Sequence, residues 1–205
     1  MNYIHFANVS STNEYLKASY KDLDDWTVVT ADEQSQGHGR YKRRWESEKK
    51  ANLLCSILLK DSKTLKNIES LSLLTGVVIY KLLTKLGIKN IKIKWPNDVY
   101  VNEQKIAGIL LESISCGHRI KALVIGVGIN LNQTSFNKKL NATSYALITN
   151  KIVNINKVTN NFAKALKHEI SLLNHNLSHY LNVINKNNSC FVIRNTHNFN
   201  SCILC

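Results

Sequence analysis

The chain has 205 residues, 44% hydrophobic and 20% charged, which is long enough to bury a core and too apolar and weakly charged overall for a disordered or fibrous chain. No apolar run reaches the ~18 residues of a membrane span, because Leu71–Leu74 and Val77–Ile79 are broken by Thr75, Gly76 and Lys81. The first eight residues also lack a basic segment followed by an apolar one. A cytoplasmic protein with no membrane partner is the expectation. The net charge of +13 points to polyanionic partners, and by itself does not choose between nucleic acid and the phosphates of a nucleotide. Five cysteines, an odd number, argue for reduced thiols. Cys202 and Cys205 form a lone C-x-x-C without the second pair that a zinc site requires.

Along the chain, Ser11-Thr12-Asn13-Glu14 fits a capping box: Ser11 accepts from the backbone at Glu14, Glu14 reaches back, and a helix runs to about Ser19. Trp26–Ala31 is rich in β-branched residues and reads as a buried strand, with a second at Leu53–Leu59. From about Leu65 the positions Ile68, Leu71, Leu74, Val78, Leu82 and Leu86 recur at helical steps up to Gly87, a natural C-terminal cap. Ile91–Trp95 then alternates with period two, followed by runs at Val99–Val101, Ile106–Leu111 and Ile120–Leu131, with a hairpin turn at Asn102-Glu103-Gln104. These connections are too short for helical crossovers, so the fold class is α+β with a mixed, mostly antiparallel sheet backed by helices.

A helical period returns through Val158, Phe162, Ala165, Leu166, Ile170 and Leu173. His168, His175 and His179 could share a face there, read as solvated surface because no carboxylate stands at ligand spacing. Composition shifts near residue 150: the last 56 residues hold 14 asparagines, one acid (Glu169) and six bases. The division expected is a domain over 1–173 and an atypical tail over 174–205.

No G-x-x-x-x-G-K-[ST] phosphate loop occurs, and Lys42 stands where a dinucleotide fingerprint needs its third glycine. Instead, the nine residues Gly37-His38-Gly39-Arg40-Tyr41-Lys42-Arg43-Arg44-Trp45 combine two glycines, four cations and two aromatics. Glycines let backbone approach a ligand, guanidinium forks match phosphate or carboxylate, and aromatics stack on a base. An adenylated ligand suits these parts; a solvated basic loop or a nucleic-acid patch suits them too.

Four further segments narrow the choice: Ser11-Thr12-Asn13, Lys94-Trp95-Pro96-Asn97-Asp98, Lys105-Ile106-Ala107-Gly108-Ile109-Leu110 and Gly126-Val127-Gly128-Ile129-Asn130. In this order, with the glycine and arginine loop, they resemble the catalytic domain of biotin protein ligases over about residues 3 to 149. The resemblance implies a sheet backed by helices, related to class II tRNA synthetases and lipoate ligases. It also implies a two-step reaction with ATP, biotin and Mg²⁺: biotinoyl-5′-AMP forms, and the acyl group passes to a lysine of the biotin carboxyl carrier protein or domain of acetyl-CoA carboxylase or a related carboxylase.

Carried onto this chain, the resemblance implies biotin binding by Ser11, Thr12, Asn13, Gln34, Gly37, His38, Arg40, Lys105, Gly108 and Leu110. It implies ATP binding by Arg40, Arg43, Arg44, Trp45, Asn97, Asp98, Lys105 and Asn130, with Asp98 toward the metal and Arg40 and Lys105 catalytic. On its own residue chemistry, Ser11 also reads as a helix cap, and an isolated lysine in a hairpin such as Lys105 reads as solvated surface.

Two departures stand out. Lys42 replaces a glycine of the family's loop, and a residue with Cβ resists φ > 0. The stretch 174–205 does not read as the small β-rich C-terminal domain usual in the family, and no helix-turn-helix precedes Met1, so no specific nucleic-acid partner is expected. Alternatives are a lipoate-type ligase on the same fold, a ligand-binding remnant with impaired catalysis, and a nucleic-acid-binding module. A homodimer is left open.

Overall fold

The computed structural model describes residues 1–65, 68–175, 191–193 and 202–204. Strands β1 (Tyr3–Phe6), β2 (Val28–Ala31), β3 (Leu53–Leu59), β4 (Ile91–Lys94), β5 (Asp98–Val101), β6 (Gln104–Cys116) and β7 (Arg119–Ile129) form a sheet of order β1-β2-β3-β7-β6-β5-β4. β1 and β2 run parallel; every other neighbouring pair among these seven is antiparallel. Beyond β4 the short strands β8 (Phe191–Ile193) and β9 (Cys202–Leu204) continue the sheet. The rest of the expected tail, with His179 and Cys205, lies outside the described residues.

The helices are α1 (Thr12–Ser19), α2 (Ser62–Leu65), α3 (Ile68–Lys85), α4 (Tyr145–Thr149) and α5 (Ile155–His175). Strand alternation divides the core. Cys55, Ile57, Ile109, Ile125 and Val127 face the side covered by α3 and α5, with Leu71, Leu74, Ile79, Phe162 and Leu166. Val29, Leu58, Ala122 and Val124 face the opposite side, under Leu16 of α1. Among the described residues one short helix lies on this face, which leaves sheet uncovered beside α1.

Several elements differ from expectation. Trp26 stands at φ 62 with its N–H on the Leu58 carbonyl, so β2 begins two residues later than the β-branched run suggests. The hairpin between β5 and β6 has Asn102 at φ 47 and Glu103 at φ 67, the twin positive angles of a tight two-residue turn. β6 runs to Cys116, past the apolar stretch, because β7 pairs with it throughout. Ser11 caps α1 by accepting from the Glu14 amide, but the Glu14 carboxylate turns to Lys17 instead of reaching back. Helix α4, closed by Asn150 at φ 56, is too short for its apolar period to be legible.

Candidate active site

The uncovered strip of sheet is the floor of a cavity. Residues two apart share a face, and register pairs Gly108 with Gly128, Leu110 with Gly126, Ser56 with Gly126 and Leu54 with Gly128. These six line the cavity on the α1 side. Alternation therefore turns Gly108, Gly126 and Gly128 into a patch without side chains at the centre of three strands. Space there is taken by residues from elsewhere. A Cβ on Gly128 would stand 2.6 Å from two Trp45 ring atoms, one on Gly108 2.9 Å from the same ring, and one on Gly126 2.3 Å from Asn13 Oδ1.

At one end of the cavity the start of α1 supplies buried polar groups. Thr12 N donates to Gln34 Oε1 at 2.8 Å, and the Thr12 and Ser56 hydroxyls meet at 2.6 Å. Ser56 donates to Asn13 Oδ1 at 2.5 Å. Asn13 Nδ2 donates to Glu112 Oε2 at 2.8 Å, and Lys17 Nζ to Glu112 Oε1 at 2.7 Å. Burial alone would raise the Glu112 pKa and lower that of Lys17. Their mutual hydrogen bond, with those of Asn13 and Glu14, outweighs burial and moves both the other way, so the pair stays ionised. Glu14, His38 and Glu112 offer ligand atoms within 4.8 Å of one another, and the cation within that cluster is the Lys17 ammonium.

At the other end the charge is positive. Lys105 Nζ lies 2.6 Å from Asp98 Oδ1, an ion pair off the hydrogen-bonding direction, and 5.5 Å from the centre of the Trp45 ring. Asn97 donates to the Ile109 carbonyl. The loop over this end closes on itself, Gly39 N donating to Arg43 O at 2.7 Å and Trp45 N to Gly37 O at 2.9 Å. Arg40, Arg43 and Arg44 are exposed along its rim. Arg40 rests on Tyr41, 5.2 Å from the ring centre. Tyr41 and Lys42 take φ 56 and 57. Lys42 thus takes a left-handed backbone that favours glycine, at a cost of about 1–2 kcal/mol for a residue with Cβ.

Of the residues singled out from sequence, Ser11, Thr12, Asn13, Gln34, His38, Arg40, Arg43, Arg44, Trp45, Asn97, Asp98, Lys105, Gly108 and Leu110 surround this one cavity. Gly37 and Asn130 do not line it. Gly37 is buried beneath the loop. Asn130 is buried with Nδ2 on the Thr143 carbonyl at 3.0 Å and Oδ1 without a hydrogen-bond partner among the described residues. Sequence reasoning passed over Ser56 and Glu112. The signal for both was there: a serine within Leu-Leu-Cys-Ser-Ile-Leu-Leu and an acid within Leu-Leu-Glu-Ser, each in phase with the floor.

A profile of the biotin/lipoate A/B protein ligase family matches residues 5–130, a span that contains every lining residue named above. The chain belongs to this family. Among relatives, the bifunctional ligase/repressor BirA of Escherichia coli is 37% identical over 123 residues, 60% of this chain and 38% of that protein. The biotin–[acetyl-CoA-carboxylase] ligase of Paracoccus denitrificans is 33% identical over 127 residues, 61% of this chain and 52% of that one. The chain thus spans about a third to a half of the curated relatives it matches. Among solved structures, the biotin protein ligase of Aquifex aeolicus in complex with biotin and ATP superposes with a TM-score of 0.76 at 31% identity, covering 85% of this chain and 72% of that one. The family's fold is therefore the sheet of seven strands backed by helices seen here. No helix among the described residues is long and apolar enough to cross a membrane.

Proposed function

We propose that this chain is a biotin–protein ligase catalytic domain, assigned to residues 1–173, which activates biotin with ATP and transfers it to a lysine of a biotin carboxyl carrier domain. One observation carries the reading: a single cavity joins a hydrogen-bonding end, at buried Thr12 and Asn13 and half-buried Gln34, to a cationic end at Lys105 and the loop arginines. The polar end suits a cyclic urea, with N–H donors and a carbonyl acceptor, better than the apolar dithiolane of lipoate. The likeness to a structure determined with biotin and ATP supports the same choice.

In the first step a biotin carboxylate oxygen attacks the α-phosphorus of ATP. The bond to the β-phosphate bridge breaks, and pyrophosphate leaves. Two anions must meet, so fixed positive charge is the main requirement. Lys105, held by Asp98, and Arg40, carried on the loop, are the groups that meet it. In the second step the neutral amine of the carrier lysine attacks the acyl carbon, the bond to AMP breaks with its electron pair going to the phosphate, and the amine proton passes to solvent. Trp45 offers its ring to adenine.

Asp98, with its Oδ1 buried beside Lys105, is the hard oxygen ligand that Mg²⁺ would take together with phosphate oxygens. When bound, the ion supplies neutralisation of the outer phosphates. A cytoplasmic setting, where ATP and carboxylase carriers occur together, fits this activity. Mass spectrometry of a carrier domain after incubation with the protein, biotin, ATP and Mg²⁺ tests the reading: a gain of one biotinoyl group is expected, and an unmodified carrier refutes it.

A further inference from the structure

Glu112 does not line the cavity, yet it is joined to it through three buried side chains. Asn13, Thr12 and Ser56 are 4%, 3% and 0% exposed, so water does not complete their hydrogen bonds. Proton counting then sets the direction of the whole chain. Glu112, ionised beside Lys17, is an acceptor only, so Asn13 must turn Nδ2 toward it and Oδ1 toward Ser56. The Ser56 proton is committed to Asn13 Oδ1. Thr12, 2.6 Å from Ser56, must donate there in turn. Nothing is left for the contact of 3.0 Å between Thr12 Oγ1 and Gln34 Oε1, because Gln34 Oε1 already faces the Thr12 amide. Two lone pairs confront each other at the cavity wall, and a ligand N–H aimed between them relieves the conflict.

We infer that Glu112 is a positioning residue that sets substrate selectivity: acting through Asn13, Ser56 and Thr12, it leaves an acceptor pair at Thr12 and Gln34 that selects a ligand with a ring N–H. A neutral amide in place of the Glu112 carboxylate permits the opposite order. That amide would donate to Asn13 Oδ1, Asn13 to Ser56, Ser56 to Thr12 and Thr12 to Gln34, and the acceptor pair would be satisfied from within. Gly126 belongs to the same device, since a Cβ there would displace Asn13.

This inference rests on the biotin reading above, and its test separates the two. Calorimetry on the full chain would measure biotin and its two cyclic-carbamate analogues, in each of which one ring N–H is replaced by oxygen. The wild type is expected to prefer biotin over one of the analogues by about 100-fold, as acceptors covered by the bound ligand reject one lacking the donor. Glu112→Gln should narrow that ratio by about tenfold. Ser56→Ala, which cuts the chain and releases the Thr12 proton to Gln34, should narrow it too. A role confined to packing would weaken all three ligands alike. Ratios unchanged in both variants for both analogues, with biotin still bound, overturn the role of Glu112 alone; no biotin binding by the wild type overturns the ligase reading and this inference with it.

Discussion

Replacing Gly126 by alanine probes the site at its least forgiving point. The new Cβ would stand 2.3 Å from Asn13 Oδ1 and 2.9 Å from Cγ and Nδ2, roughly 1 Å inside ordinary contact. Neither side can yield, because Gly126 lies in the central strand β7 and Asn13 is held by Ser56 and Glu112. Moving Asn13 breaks one hydrogen bond to an ionised partner and one between neutral groups, a loss of about 2–4 kcal/mol. For a domain of this size that lowers the Tm by about 5–15 °C. If Asn13 helps to recognise biotin, affinity falls with it by about 100-fold. Gly128→Ala is the control. Its Cβ would meet the Trp45 ring at 2.6 Å, but Trp45 sits on an exposed loop and its Nε1 has no hydrogen-bond partner among the described residues. The ring can lift at little cost, so the Tm should move by less than about 3 °C while ATP binding weakens. Thermal unfolding and calorimetry read both. Equal Tm losses in the two variants, or a Gly126→Ala protein with wild-type Tm and biotin affinity, refute the reasoning.

Lys105→Ala should cut adenylate formation, followed as pyrophosphate release, by about 100-fold or more while biotin binding survives; retained turnover would remove the lysine from the chemistry. Arg40 is exposed and touches little beyond Tyr41, so Arg40→Ala should leave the Tm unchanged yet weaken binding of the two anionic substrates by about 2–3 kcal/mol, and unaltered calorimetric affinities would contradict its assignment. Lys42→Gly relieves the left-handed backbone at φ 57 and, set against the entropy of glycine, should stabilise the protein by up to about 1 kcal/mol in chemical denaturation; a clear loss counts against strain at this position. Glu112 is held below its ordinary pKa near ~4.3. Because the folded state binds that proton less readily than the unfolded state, its stabilisation is full above about pH 5 and fades as pH falls toward the lowered value. The Tm gap between wild type and Glu112→Gln should accordingly close in acid and stay constant from about pH 6 to 8.

The motifs and the main elements were legible in the sequence because each rests on local physics. The apolar run over Leu53–Leu59, the helical period leading to Gly87 and the cap at Ser11 are short-range patterns, and all appear where expected. The residue types of the Gly37–Trp45 loop were equally visible. What the sequence left open needed the register of strands far apart along the chain. That Ser56, Gly108 and Gly126 share one floor follows from pairing β3 and β6 with β7, and that Asn13 reaches Glu112, 99 residues away, follows from α1 lying on that face. The strain accepted at Lys42 and the burial of Asn130 away from the cavity were decided the same way. Residue types announce what groups are available, but which of them meet, and which way a proton must point between them, is a property of three-dimensional contact that no short window contains.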